Sequence, residues 1–288
     1  MQKAGGTTVN TILKHKWHHE VGTDVYDTRD WKKGDAQTQK YVQEFVAGHT
    51  WKVVRGSSVE AMRRFDHADR CKWFTVFRHP ISRLVSAYFW CKRRPVDKLC
   101  ASEIMSARDT DLLGFARHWG NYGVRQFAFA FVAADDVLAA FSNGTLSFPH
   151  DVPWTSVSDW YLLKVYFDYL SPPTPDRPTD AALYDMLGRI QDTIRDQYTV
   201  VGILENWNTT LNMLNAGLGM PGLDWQKAYR SMGTVNTNED YEEGEKNAAL
   251  EMAWTSAELK SFIRLDLLLY EHAKDVFNQQ ARMYNILQ

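Results

Sequence analysis

The run Lys72-Trp73-Phe74-Thr75-Val76-Phe77, closed by Arg78-His79-Pro80, constrains this chain more than any other stretch. A short, unbroken apolar run rich in aromatic and β-branched residues has the pattern of a strand buried on both faces in a parallel sheet. Pro80 has no N–H to lose and a preset φ, so it suits the first turn of a helix, expected to reach about Trp90. A second unit of the same kind follows at Tyr198-Thr199-Val200-Val201-Gly202-Ile203, with Asn206 or Asn208 as the cap of the next helix. Helical patterns also cover about 57–65, 109–118, 121–141, 159–170 and 180–195. The stretch 256–284 reads as one amphipathic helix carrying Leu259, Phe262, Ile263, Leu265, Leu267, Leu268 and Leu269. Residues 21–40 are polar and read as a surface excursion, and the proline-rich 171–178 as a loop. Strands separated by helices imply an α/β class with a mainly parallel sheet.

The chain's 288 residues, 44% of them hydrophobic, suffice for one large domain, expected to span 1–288 with room for a helical or loop insertion over about 100–180. A net charge of -2 gives no overall basic field, which argues against a nucleic-acid partner. Any anionic ligand must then be held by local groups. No apolar run is long enough for a transmembrane helix in this stretch, and Met1 to Gly6 lacks the apolar core of a signal peptide. Cys91 and Cys100 bracket the basic loop Lys92-Arg93-Arg94-Pro95; they either close it as a disulfide or remain free thiols beside Cys71.

Two segments carry anion chemistry. In Lys3-Ala4-Gly5-Gly6-Thr7-Thr8 the paired glycines allow a tight turn that aims backbone N–H groups outward, and Val9, Ile12 and Leu13 continue with helical spacing. The helix start adds partial positive charge, Lys3 a full one, and the threonines add donors, a combination suited to a phosphate or phosphosulfate. A glycine turn that merely precedes a helix would use the same residues. Because Lys3 precedes the glycines, the loop is not a Walker A sequence, in which Lys directly precedes Ser/Thr. The second segment runs from Arg78 to Tyr88. Arg78 ends a strand at the carboxyl edge of the sheet, where α/β proteins collect ligands, and Ser86 follows two helical turns after Pro80. The guanidinium fork suits a phosphate dianion; an ion pair between elements is the plainer use. Arg83 and Tyr88 fit packing or the helix surface.

With both segments in place, the chain resembles the Golgi carbohydrate O-sulfotransferases, nearest to the heparan sulfate 2-O and 6-O enzymes. Gln2 to Thr8 resembles their 5′-phosphosulfate loop, and Arg78-His79-Pro80 through Ser86-Ala87-Tyr88 their 3′-phosphate segment. His79 stands where that family more often has Asp or Asn. Weaker similarities lie at Asn121 with Arg125-Gln126, at Val201-Gly202-Ile203-Leu204-Glu205, and from Asp266 to Lys274.

The resemblance implies a P-loop-like three-layer fold with the sheet between helices. It implies 3′-phosphoadenosine 5′-phosphosulfate (PAPS) as co-substrate, a glycan as acceptor, and no metal. The nucleotide-binding residues would be Lys3, Ala4, Gly5, Gly6, Thr7, Thr8, Arg78 and Ser86, with Arg230 in a late loop 230–236. His49, in Gly48-His49-Thr50, matches the position of the family's catalytic base, and a neutral-range pKa suits it to take the acceptor's proton. Lys3 would share the catalytic role by neutralising charge on the departing phosphate. Glu20 is the rival base, and adjacent His18-His19-Glu20 make a poor metal site because neighbouring residues rarely converge on one ion. Lys14, Lys16, Arg63, Arg64, Lys92, Arg93 and Arg94 are candidates for a basic acceptor groove, or plain solvated charges.

In such a fold a central strand precedes the phosphate loop, yet only Met1 and Gln2 precede Lys3. The expectation is a shortened start, lacking that strand and the family's amino-terminal membrane anchor, with the Golgi lumen as the implied compartment. Two other readings stay open: a kinase-like phosphotransferase with a divergent loop, and an inactive nucleotide-binding module.

Overall fold

Two parallel strand pairs organise the described residues of this computed structural model, which are 6–13, 25–27, 53–55, 71–93, 110–124, 127, 180–220, 222–232 and 243–287. β1 (Val25–Asp27) pairs with β2 (Val53–Arg55), and β3 (Phe74–Phe77) with β4 (Val200–Ile203). β1 lies within the stretch that reads as a polar excursion; its Val-Tyr pair meets Val53-Val54 across the ladder. The β3–β4 register sets Phe74 against Val200 and Phe77 against Ile203, so both strands end at the same level.

Among the described residues, side chains and not a third strand occupy the outer edge of β4. The Val201 N–H donates to Gln280 Oε1 at 2.8 Å, and Gln280 Nε2 returns a bond to the Tyr198 carbonyl at 2.8 Å. The Ile203 N–H donates to Thr210 Oγ1 at 2.9 Å, whose hydroxyl donates back to the Ile203 carbonyl at 2.8 Å. Backbone groups that would otherwise be buried without partners are thereby satisfied. Gly202 is the residue between them because a Cβ there would come within 2.5 Å of Thr210 Cγ2.

The helices, in order, are α1 (Gly6–Thr11), α2 (Pro80–Arg93), α3 (Leu112–Trp119), α4 (Asp180–Gln197), α5 (Trp207–Leu218), α6 (Trp225–Met232), α7 (Glu243–Thr255), α8 (Ala257–Phe262) and α9 (Arg264–Met283). α2 buries Ile81, Leu84, Val85, Tyr88 and Phe89, the spacing of one helical stripe, against α3, α7 and α8. A separate core joins β3 and β4 to α4, α5, α6 and α9, and includes Val9 of α1 and Ile12 and Leu13 just after it. α9 links the two cores through a buried ion pair: Arg83 Nη2 lies 2.7 Å from Asp266 Oδ2. The same carboxylate accepts the N–H groups of Gly123 at 3.1 Å and Val124 at 2.9 Å.

The expected single helix over 256–284 is two. Ser256 caps α8 through a bond from the Leu259 N–H, and the chain breaks at Ile263. The new helix start exposes N–H groups that need acceptors. Asn121 Oδ1 supplies one, taking the Leu265 N–H at 2.9 Å and the Asp266 N–H at 3.2 Å. Asn121 adopts φ 53°, a left-handed conformation that asparagine tolerates better than most residues. Asn206 takes the cap position of α5, yet its side chain makes no capping bond, because a 3-10 turn over Leu204–Asn206 leads directly into the helix. The rest of the expected helix 121–141 beyond Phe127, and the helices at 57–65 and 159–170, lie outside the described residues.

Candidate functional site

β3 and β4 release their chains side by side, Arg78 leaving one strand and Leu204-Glu205 the other. The turn after β3 is only Arg78-His79 long before α2 begins. His79 is the residue that caps α2: its Nδ1 accepts the Ile81 N–H at 3.3 Å, and the Arg83 N–H bonds to its carbonyl at 2.9 Å. A ring nitrogen thus does the work that an Asp or Asn oxygen does at helix starts. Accepting at Nδ1 requires the neutral tautomer with its proton on Nε2.

Glu205 ties the two strand ends together. Its Oε1 accepts the His79 backbone N–H at 2.9 Å, and its Oε2 accepts the Tyr270 hydroxyl from α9 at 3.0 Å. The His79 ring sits between two aromatics, with centroids 4.3 Å from Trp254 and 5.0 Å from Tyr270. Burial lowers the His79 pKa, with Glu205 and Glu271 pulling it back and Lys274 and Lys260 pushing it further down. Burial, reinforced by the Glu205 carboxylate, pushes the Tyr270 phenol up, so it remains a donor.

Arg78 is half-buried in this setting. Burial depresses its pKa; the nearby Glu205 carboxylate opposes that, and the Arg83 guanidinium adds to it. A guanidinium that has lost water beside a second cation gains more from a bound dianion than a solvated one does. Arg83 is already matched by Asp266, and its guanidinium lies 5.0 Å over the Tyr122 ring, so it serves the core. Tyr88 is also a core residue, donating its hydroxyl to the Thr110 carbonyl at 3.0 Å.

The other residues singled out in the sequence fall as follows. Ser86 lies on α2, on the same helix that Arg78 precedes, and is buried. Gly6, Thr7 and Thr8 form the start of α1, and that segment's Val9, Ile12 and Leu13 share a core with Phe77, the residue before Arg78. Arg230 stands on the last turn of α6 and not in a loop; it is exposed and donates to Gln226 at 3.2 Å. Lys3, Ala4, Gly5, His49, Glu20, and residues 233–236 of the late loop lie outside the described residues. Cys71 is in no disulfide and Cys91 is disulfide-bonded; Cys100 lies outside the described residues.

Glu205 and Tyr270 are the residues that motif reading left without a role. The signal for Glu205 is positional: it follows the end of a buried strand, as Arg78 follows the end of the other. No protein-family model, curated protein or solved structure matches this chain.

Proposed function

We propose that the chain is a PAPS-dependent carbohydrate O-sulfotransferase with a P-loop-like α/β core. The observation that carries the reading is Arg78: a half-buried guanidinium at the carboxyl end of a parallel strand pair, directly before a helix that bears Ser86. A dianion such as the 3′-phosphate of PAPS suits that position in charge and in fork geometry. The Lys3–Thr8 sequence supplies a second anion-binding segment, and its continuation through Leu13 packs in the core that contains Phe77. The Cys91 disulfide fits an oxidising compartment such as the Golgi lumen, where glycans are modified.

PAPS supplies the sulfuryl group, and 3′,5′-adenosine bisphosphate remains after transfer. The acceptor hydroxyl forms the new S–O bond as the bond to the 5′-phosphate oxygen breaks. His49 takes the acceptor's proton, Lys3 balances the charge left on the 5′-phosphate, and Arg78 holds the 3′ end.

The deciding experiment is thermal shift of the full chain with 3′,5′-adenosine bisphosphate or with ATP and Mg²⁺, followed by radiolabelled transfer from PAPS to a glycan panel. The expected result is stabilisation by the bisphosphate and label on a glycan. Stabilisation by ATP and Mg²⁺ alone would instead identify a phosphotransferase, and bisphosphate binding without transfer an inactive module.

A further inference from the structure

A carboxylate beside an anion clamp is the feature that most needs a reason. By simple charge, Glu205 should repel any phosphate that Arg78 attracts. Both of its oxygens are nonetheless committed to parts of the same corner: Oε1 to the N–H of the residue after Arg78, Oε2 to a hydroxyl on α9. The bonded N–H belongs to the two-residue turn that carries Arg78, so fixing it fixes the direction in which the Arg78 side chain leaves the strand. The register that ends β3 and β4 at Phe77 and Ile203 brings Glu205 within reach of that turn.

We propose that Glu205 is a positioning residue for Arg78: by clamping the His79 N–H and the Tyr270 hydroxyl, it holds the turn in the conformation that presents the guanidinium to the 3′-phosphate. The inference rests on the proposed sulfotransferase reading, in which Arg78 meets that phosphate. The cost of placing a negative charge nearby is accepted because an unpositioned arginine loses rotamer entropy each time it binds. The carboxylate also offsets part of the desolvation of Arg78. Glu205 acts through Arg78 and touches neither the acceptor nor the sulfuryl group.

The sign of one substitution separates this role from the alternatives. Affinities of the full-length wild type, Glu205→Gln and Tyr270→Phe for 3′,5′-adenosine bisphosphate and for 5′-AMP are measured by calorimetry, with a melting curve for each protein. The wild type should prefer the bisphosphate. Positioning predicts that Glu205→Gln lowers this preference about tenfold even though a repelling charge is gone, the scale of one charge-assisted hydrogen bond. Tyr270→Phe should lower it by a smaller factor, and it serves as the test if Glu205→Gln does not fold. An increased preference in Glu205→Gln would show plain repulsion and overturn the proposal. A lower melting temperature with an unchanged preference would show a structural role only, and would also overturn it. A wild type with no preference between the two nucleotides would remove the sulfotransferase reading itself, and this inference with it.

Discussion

Replacing Asp266 by Ala should be among the most damaging single changes available to this chain. The carboxylate is 3% exposed and its partner Arg83 7%, so removing it leaves a guanidinium in the core without a counter-charge. Breaking a buried pair from one side costs about 3–5 kcal/mol. The N–H groups of Gly123 and Val124 lose their acceptor in the same step, each worth about 1–3 kcal/mol when left dry. Water entering the space left by the truncated side chain recovers part of this, so about 5 kcal/mol is the working figure. An unfolding entropy of about 2.1 cal/mol/K per residue gives a 288-residue chain about 0.6 kcal/mol/K, and hence a fall in Tm of about 8 °C. Circular dichroism melts and urea titrations of the wild type, Asp266→Ala, Arg83→Met and the double variant would measure it. Arg83→Met should cost less, because its carboxylate keeps two N–H donors, and the double variant should lose less than the two singles combined. A loss below about 1 kcal/mol in Asp266→Ala, or strict additivity in the cycle, would refute the idea that this pair joins the two cores.

Three further expectations are independent of that pair. Gly120→Ala should destabilise strongly, because a Cβ there would collide with the Phe262 carbonyl oxygen and lie 2.6 Å from that of Ala116, both backbone atoms; a melt indistinguishable from wild type would contradict it. His79 has a lowered pKa, so the unfolded chain binds the extra proton more readily. The stability it supports is full above about pH 6.5 and is lost as pH falls through the depressed native value. Melts from pH 7.5 to 5 should therefore show a shallower acid loss in His79→Asn, whose side chain still caps α2. His49→Ala should lower kcat by about 100-fold or more while leaving the affinity for 3′,5′-adenosine bisphosphate within about twofold, measured by radiolabelled transfer and calorimetry.

Local signals carried the strand–turn–helix units. Lys72–Phe77 and Tyr198–Ile203 were readable because an apolar run followed by Pro or Asn needs no distant information, and both contain a strand within those bounds. The break at Ile263 was not readable. Its cause is Asn121, a residue far away in sequence that takes over the capping of α9, and the 256–284 pattern is amphipathic with or without a break. Arg230 shows the opposite failure: the resemblance implied a late loop from that residue on, while Asp224 starts a helix that includes it by accepting the Lys227 N–H. Within the candidate site, Arg78 was legible from its place at a strand end. Glu205 acquires its role only through the parallel register of two strands separated by more than a hundred residues of chain, and no local pattern encodes that.

The blocking of β4 by Gln280 has a consequence for the order in which the molecule becomes safe from its own kind. Until α9 docks, Val201 and the Tyr198 carbonyl present bare ladder positions to any passing strand, and α9 follows β4 by some sixty residues of chain. A chain cut short before Gln280 would keep that template open indefinitely. Truncations that remove Gln280 should accordingly be lost to intermolecular sheet formation and precipitation before any question of activity arises.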